Sequence, residues 1–150
     1  MHKAIRKLKN TAHLVLAFAA NAVSAFPSKG MIIIGVTGTD GKTTTSSLIY
    51  HILEKAGYKA ALISTLGAQI DGKNYETGFH VTTPSAFALQ KYIKIAKEKK
   101  CTHVVLEVTS HALNQNRVFG IKFNIGVLTN ITYEHLDYHK SYKNYVYEKL

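Results

Sequence analysis

A glycine-rich segment with a lysine and a run of threonines, residues 35–45, carries the clearest chemical signal in the chain. It reads Gly-Val-Thr-Gly-Thr-Asp-Gly-Lys-Thr-Thr-Thr, follows the apolar run Met31–Ile34 and precedes a helix-like stretch. Glycines allow a tight turn whose backbone N–H groups point inward, where the positive end of the helix dipole also lies. Lys42 can reach the β- and γ-phosphates of a nucleotide, and the Thr43 hydroxyl can ligate Mg²⁺. The segment therefore predicts a phosphate-binding loop, although Val36 stands where the strict pattern has glycine.

Two further polar segments follow predicted strands, so we expect them at the same edge of a sheet. Glu107 lies near the end of the buried, β-branched stretch Thr102–Val108, and a carboxylate beside a phosphate loop is a natural Mg²⁺ ligand. The second segment, residues 129–139, follows the next apolar strand and contains two histidines and two carboxylates. Its spacing matches no zinc pattern, but its position opposite the phosphate loop favours a functional role.

Hydroxyl groups and an arginine lie just beyond Glu107. Ser110 and His111 are neighbours, but adjacent residues rarely form a Ser-His nucleophile pair, and the chain has no Gly-x-Ser-x-Gly elbow. Ser110 and Arg117 are better suited to binding an anionic substrate. The lone cysteine, Cys101, opens a predicted buried strand and fits a reducing compartment, and nothing near it supports a nucleophilic role.

The elements that must position these residues alternate between strand and helix from Met31 onwards. The patterns predict strands over 31–36, 58–65, 102–108 and 123–130, and helices over 43–56, 85–99 and 141–150. Asp71-Gly72 predicts a β-hairpin within 66–79. This alternation predicts an α/β fold with a doubly wound, mostly parallel sheet in residues 31–150. The last helix stops before any cap, so we expect the domain to be incomplete at its C-terminus.

Residues 1–30 differ from the rest of the chain. A basic start, Lys3–Lys9, leads into an apolar stretch from Leu14 to Phe26. This order is typical of a signal peptide with Val23-Ser24-Ala25 as its cleavage site. A nucleotide-binding loop belongs in the cytoplasm, however, and cleavage there would leave almost nothing before the first strand. We therefore expect an apolar helix and linker that pack on the domain, rather than one that contacts the membrane interface.

Composition limits the classes of partner. The 150 residues are 46% hydrophobic and 19% charged, which is ordinary for a globular protein, and the net charge is +10. Such a charge suits anionic partners, which include nucleotides, nucleic acid and membrane surfaces. The lysines of 91–100 are typical of a solvated helix face, and arginines do not alternate with aromatic residues as in single-strand binders. We expect no nucleic-acid partner.

Four blocks of residues together resemble the Mur ligases, the ATP-dependent enzymes that build the peptide of peptidoglycan, and within that family the UDP-N-acetylmuramoyl-tripeptide synthetases. The blocks are Gly38–Thr44, Thr82-Thr83-Pro84, Glu107–Leu113 with Arg117, and Thr129-Asn130 with His135–His139. The resemblance implies the fold of the Mur ligase central ATP-binding domain. It also implies a cytoplasmic, monomeric ligase that adds an amino acid to UDP-MurNAc-dipeptide through an acyl phosphate.

The resemblance further implies roles for individual residues. Catalysis would involve Lys42, His135 and Lys149. The first Mg²⁺ would be bound by Thr43 and Glu107, and a second by His135 and by Lys149 in carbamylated form. The UDP-MurNAc-dipeptide would contact Thr82, Thr83, Ser110 and Arg117. ATP would be bound by Gly38, Thr39, Asp40, Gly41, Lys42, Thr43, Thr44 and Asn130.

Some features depart from the family's pattern. Asp40, Glu134 and Lys140 stand where Asn, Asp and Gly are usual, and the family's N-terminal uridine-binding domain and C-terminal domain are missing. Two alternatives stay open: a folylpolyglutamate synthase-like or other Mur-type ligase, and a non-catalytic nucleotide-binding fragment. A nucleic-acid binder would leave Glu107 and the phosphate loop without a purpose.

Overall fold

The computed structural model describes residues 2–75, 83–132 and 146–147. Four helices and six strands lie in the described chain, in the order α1 His2–Val23, β1 Ile32–Thr37, α2 Lys42–Lys55, β2 Ala60–Ser64, β3 Gly67–Ile70, β4 Lys73–Tyr75, α3 Ala86–Glu98, β5 His103–Glu107, α4 Ser110–Asn114 and β6 Ile125–Leu128. Most of the helix predicted over 141–150 lies outside the described residues.

The strands form one sheet in the order β4-β3-β2-β5-β1-β6. The pairs β2–β5, β5–β1 and β1–β6 are parallel, while β3 and β4 add an antiparallel hairpin at one edge. Asp71 and Gly72 both have positive φ angles, 52° and 71°, as a two-residue hairpin turn of this kind requires. The predicted α/β fold with a mostly parallel sheet is therefore confirmed, and so is the hairpin.

Three predicted strands are shorter in the structure: 102–108 loses one residue at each end, and 58–65 and 123–130 begin later for local reasons. Tyr58 N–H donates to Leu53 O, so it closes the end of α2 and regular pairing of β2 begins only at Ala60. The side chain of Asn124 accepts from Ile33 N–H at 2.9 Å, which takes the place of a backbone partner. Regular pairing of β6 therefore begins at Ile125.

Helices cover both faces of the sheet, because successive side chains of a strand point to opposite sides. On one face, Ile33 belongs to a buried cluster that includes Leu89 and Ile93 of α3. On the other, Ile34 and Val36 belong to a cluster that includes Tyr50 of α2. This is the doubly wound arrangement predicted from the alternation of elements.

The N-terminal helix α1 packs against α3. Ala17 and Ala20 are fully buried there, and the Asn21 side-chain amide donates to Phe119 O at 2.6 Å. Within the described residues, no helix is long and apolar enough to cross a membrane. The division of the chain at residue 30 into a helical leader and a domain stays a prediction.

Candidate functional site

The sequence-predicted loop lies at the carboxyl edge of the sheet, between two neighbouring strands that supply its partners. It connects β1 to α2, and β1 lies between β5 and β6. Because all three strands are parallel, the residues that follow β5 and β6 arrive at the same edge as the loop. Glu107 at the end of β5 and Thr129-Asn130 after β6 therefore flank it.

The segment after β6 fixes the shape of the loop through hydrogen bonds. Asn130 accepts from Thr39 N–H with its carbonyl oxygen at 3.0 Å and from Asp40 N–H with Oδ1 at 2.9 Å. The Thr129 hydroxyl donates to Asp40 O at 2.7 Å, and Asn130 Nδ2 donates to the same oxygen at 3.2 Å. Asn130 was predicted to bind ATP, and here its amide orients the loop backbone.

Gly38 is required where the loop passes Thr129. Its φ angle is +153°, and a Cβ added there would overlap the Thr129 hydroxyl oxygen. Any other residue would therefore displace either the loop or the segment after β6.

The start of α2 presents unpaired backbone donors to the loop. Gly41, the N-cap, has a φ of 77° and gives no side-chain hydrogen bond to the helix. The first intrahelical bond runs from Thr45 N–H to Gly41 O at 2.9 Å. The N–H groups of residues 42–44 precede it and are the ones that a helix leaves free for an external acceptor. A phosphate is the acceptor that such an N-terminus favours.

Lys42 lies over the loop. Its Nζ donates to Thr39 O at 2.6 Å and to Gly38 O at 3.1 Å. This position places the ammonium group between the loop and the start of α2, where the sequence predicted a phosphate-binding lysine.

Glu107 is a buried carboxylate, 1% exposed, that joins three elements. The Thr43 hydroxyl lies 3.1 Å from each of its oxygens. Oε2 also accepts from the N–H and hydroxyl of Thr65, at 3.1 and 3.2 Å. The predicted pair of Mg²⁺ ligands, Thr43 and Glu107, is thus in direct contact. Hydroxyl and carboxylate oxygens are hard donors that fit Mg²⁺, whose remaining positions are normally taken by water and substrate phosphate.

Thr65 is a functional candidate that the sequence reasoning missed. It follows β2, the parallel neighbour of β5, but only the strand order of the folded chain brings it beside Glu107. No group of three or more His, Cys, Asp or Glu residues suited to a metal lies within 2–75, 83–132 and 146–147.

A second cluster, behind Glu107, joins Thr83 to Arg117. The Thr83 hydroxyl donates to Glu107 O at 3.2 Å and accepts from Thr109 N–H at 3.1 Å, and Arg117 Nη1 donates to Thr83 O at 2.8 Å. Arg117 also binds Gln115 Oε1 through Nε and Nη2. Two residues predicted to contact substrate, Thr83 and Arg117, are therefore brought together, next to the backbone of Glu107.

The remaining substrate candidates have different outcomes. Ser110 is 2% exposed at the start of α4, whereas its neighbour Thr109, half-buried, caps that helix and lies 3.4 Å from the Thr83 hydroxyl. Thr109 is thus the more exposed of the two residues, although only Ser110 was predicted to contact the substrate. Thr82, His135 and Lys149 lie outside the described residues.

Two other features do not contribute to this site. An apolar cavity of about 340 Å³ between β1, β6 and α4 is lined by Val108, Leu113 and Phe123 among others, and Thr37 gives this lining a single polar side chain and no charge, which does not suit a phosphate. Cys101 is buried at the start of β5, and burial raises the pKa of its thiol, which disfavours the nucleophilic thiolate.

Comparison with known families gives a consistent picture. The family model of the Mur ligase middle domain matches residues 36–150. A UDP-N-acetylmuramoyl-L-alanyl-D-glutamate–2,6-diaminopimelate ligase of Clostridium botulinum is 44% identical over 135 residues, which cover 90% of this chain and 28% of the relative. A ligase of the same name from Corynebacterium efficiens is 47% identical over 131 residues, 87% of this chain and 24% of the relative. The chain thus spans about a quarter of the curated relatives it matches.

Solved structures agree on the fold. A structure of a UDP-N-acetylmuramoyl-L-alanyl-D-glutamate–2,6-diaminopimelate ligase superposes with a TM-score of 0.71 at 34% identity, covering 81% of this chain and 24% of that one. FolC from E. coli, in complex with DHPP and ADP, superposes with a TM-score of 0.69 at 21% identity, covering 89% and 37%. The second likeness establishes a shared fold alone.

Proposed function

This chain belongs to the Mur ligase family, and we propose that it is the ATP-binding part of a ligase that adds an amino acid to UDP-MurNAc-dipeptide. The observation that carries the proposal is the contact between Thr43 and Glu107 beside the loop of residues 38–44. A hydroxyl at the start of the helix, a buried carboxylate on the next strand and a loop lysine form the arrangement used to bind a nucleotide with its Mg²⁺.

The chain's own groups suit a triphosphate. The N–H groups at the start of α2 and the Lys42 ammonium supply positive charge at the place where phosphate oxygens would lie. Mg²⁺ would be bound by Thr43 and Glu107, and it would neutralise charge that develops on the transferred phosphoryl group. Thr65 keeps the Glu107 carboxylate in position by donating two hydrogen bonds to it.

The substrate assignment follows the named relatives, which are ligases of UDP-N-acetylmuramoyl-L-alanyl-D-glutamate and 2,6-diaminopimelate. We assign the same nucleotide-linked dipeptide to this chain, with Arg117 and the hydroxyls of Thr83 and Thr109 near its anionic end. Arg117 is suited to a carboxylate because its guanidinium presents several donors in a fixed plane.

The reaction that fits this arrangement joins phosphoryl transfer to acyl transfer, in the cytoplasm. The substrate carboxylate would attack the γ-phosphorus of ATP, and ADP would leave as an acyl phosphate forms. The amine of the amino acid would then attack the acyl carbon and displace phosphate. In the first step, Lys42 and the loop N–H groups stabilise negative charge on the phosphoryl oxygens. The roles of His135 and of a carbamylated Lys149 remain predictions.

Nucleotide binding by the purified chain tests the core of the proposal. We expect ATP with Mg²⁺ to bind, and Lys42→Ala to weaken binding by at least about tenfold, since a charge-assisted contact to phosphate is lost. Lys55→Ala, at the other end of α2, is the matched control and should bind as the unchanged chain does. If the unchanged chain binds no nucleotide, the proposal fails.

Substrate choice is tested separately, by ADP release. The protein is incubated with ATP, a mixture of amino acids and either UDP-MurNAc-L-Ala-D-Glu or a folate. ADP release that depends on the nucleotide-linked dipeptide supports the proposal. Release that depends on the folate would favour the folylpolyglutamate synthase-like alternative, and nucleotide binding without turnover would favour a non-catalytic module.

A further inference from the structure

The outward face of α1 is apolar, the reverse of what a surface helix normally shows. Val15, Leu16, Phe18 and Val23 are 62%, 51%, 56% and 78% exposed. Within the described part of α1, the residues that are buried are small or polar: Ala17, Ala20 and Asn21. A helix in the outer layer of a globular protein usually turns its polar residues to water. A contiguous apolar face of this kind marks a surface that meets a partner.

Positive charge lies at both ends of this face. The α1 sequence contains no Asp or Glu and begins with Lys3, Arg6, Lys7 and Lys9. At its other end, Lys29 Nζ lies 5.0 Å from the centre of the Phe26 ring, and Lys97 Nζ donates to Lys29 O at 3.1 Å.

The neighbouring helix adds to this charge. Lys91 and Lys94 are exposed on α3, whose sequence contains Glu98 as its one acidic residue. The exposed cations near this face are thus Lys9 on α1 and Lys29 beyond its end, with Lys91, Lys94 and Lys97 on the helix that packs against it.

We propose that α1 binds the chain to the surface of an anionic lipid bilayer, with the helix axis in the plane of the interface. Val15, Leu16, Phe18 and Val23 would enter the boundary between headgroups and acyl chains. The lysines at both ends would contact anionic headgroups. An apolar face with a basic border and no acidic residue on the helix is complementary to such a surface. The proposal is for a helix that lies in the interface, since no helix of the described residues is long and apolar enough to cross a membrane.

Co-sedimentation of the full chain with lipid vesicles tests this proposal. The vesicles are phosphatidylcholine alone, or phosphatidylcholine with about one-third phosphatidylglycerol. We expect binding to the anionic vesicles only, and weaker binding at high salt, because exposed charges are screened. The double variant Val15→Ser/Phe18→Ser should reduce the partition coefficient by at least about tenfold, since the apolar residues that insert are lost.

The matched control makes the same kind of substitution on α2, the helix that covers the opposite face of the sheet. Leu48 and Ile52 of α2 are 58% and 66% exposed, so Leu48→Ser/Ile52→Ser removes equally exposed apolar side chains from a helix remote from α1. This control should bind vesicles as the unchanged chain does. Urea unfolding of both double variants verifies that each remains folded.

Three results would overturn the proposal. The first is a chain that stays in solution with anionic vesicles, and the second is equal binding by the α1 variant. The third is a lipid-free dimer in sedimentation velocity that Val15→Ser/Phe18→Ser dissociates, because the face would then be an interface between copies. None of these outcomes depends on nucleotide binding, so they leave the proposed ligase function separately testable.

Discussion

Glu107 is held in place entirely by hydroxyl and amide donors. Thr43 and Thr65 surround its carboxylate, which is 1% exposed, and no cation of the described chain forms an ion pair with it. A buried carboxylate is costly unless hydrogen bonds or a metal compensate its charge. The same side chain is therefore both a structural link between β5, α2 and β2 and the natural anchor for a divalent cation.

Replacing Glu107 by Gln separates these two roles. The amide keeps an acceptor for Thr43 and Thr65 but loses the charge that binds Mg²⁺. We expect Glu107→Gln to remove most of the gain in ATP affinity that Mg²⁺ gives the unchanged chain, measured by titration calorimetry with and without the metal. Glu98→Gln on α3 serves as the control. A Mg²⁺ effect of full size in Glu107→Gln would show that another group binds the metal.

Asp40 adds a negative charge to the loop that we propose binds the phosphates of ATP. Its backbone is fixed on both sides by Asn130 and Thr129, and its side chain is exposed. A carboxylate about 4 Å from a phosphate in water costs about 1 kcal/mol, or roughly a fivefold loss of affinity. We expect Asp40→Asn to tighten metal-free ATP binding by about this factor. Asp71→Asn, at the hairpin turn, should change nothing, and a weaker binding by Asp40→Asn would contradict the electrostatic argument.

At the scale of elements, the loop after β1 depends on the segment after β6 for its shape. Four hydrogen bonds from Thr129 and Asn130 reach Thr39 and Asp40. Thr132 N–H adds a bond to the Thr39 hydroxyl at 2.9 Å. These contacts exist because β1 and β6 are parallel neighbours, so the position of β6 determines whether the loop is ready to bind.

Gly38→Ala tests this dependence. The added Cβ would meet the Thr129 hydroxyl at a φ where only glycine is comfortable, so we expect a loss of about 2 kcal/mol in the free energy of unfolding. Gly30→Ala is the control, because Gly30 also has a positive φ, 82°, but open space around it. Urea unfolding curves of both variants give the comparison. An equal loss in the two would mean that backbone conformation, not the contact with Thr129, sets the requirement.

Much of the element pattern could be predicted from the sequence, because each signal was local. Ser85, at the start of the helix predicted over 85–99, caps α3 by accepting from Ala88 N–H, and Asp71-Gly72 forms the predicted hairpin turn. The order of the strands in the sheet was harder to predict from local sequence signals. Nothing near Thr65 indicates that β2 lies beside β5, so its bonds to Glu107 required the folded chain. For the same reason, the sequence does not show that Ile33 N–H donates to the side chain of Asn124 and not to a backbone carbonyl.

At the scale of the whole molecule, burial of one histidine links stability to pH. His103 is 8% exposed, packs against the Tyr58 ring with centroids 4.6 Å apart, and burial lowers its pKa below the ordinary value of 6.5. The neutral form is thus favoured in the folded state. Its contribution to stability is present above pH 6.5 and is lost as the pH falls through the lower, folded-state pKa.

We therefore expect His103→Gln to make stability less sensitive to acid. Urea unfolding midpoints measured between about pH 7.5 and 5 should fall more steeply for the unchanged chain than for the variant. His51→Gln is the control, since the side chain of His51 is 61% exposed and contacts Glu54 and the Tyr50 ring, both on its own helix. Parallel pH profiles for the unchanged chain and His103→Gln would show that other groups dominate.

The site as a whole was only partly predictable. The phosphate loop and Glu107 were found because their residue types carry a recognisable chemistry, and the structure brings Thr43 and Glu107 into contact. Thr129 and Thr109 lay within the blocks singled out from the sequence but were assigned no role, because threonine is common and only the approach of distant segments gives these two a role. The inverted polarity of α1 also depended on packing, since an apolar sequence alone does not show which side faces water.

The phosphate loop and the two residues that shape it, Thr129 and Asn130, lie about ninety positions apart in the chain. This distance has a consequence during synthesis of the protein. During translation, residues 38–44 emerge long before Thr129 and Asn130, so the nascent chain presents the glycine-rich motif without the bonds that shape it. Contacts between such distant positions form late, after the intervening strands have paired. We therefore expect the chain to bind nucleotide only after β6 has joined the sheet. A nascent chain stalled on the ribosome before β6 has emerged should not bind ATP.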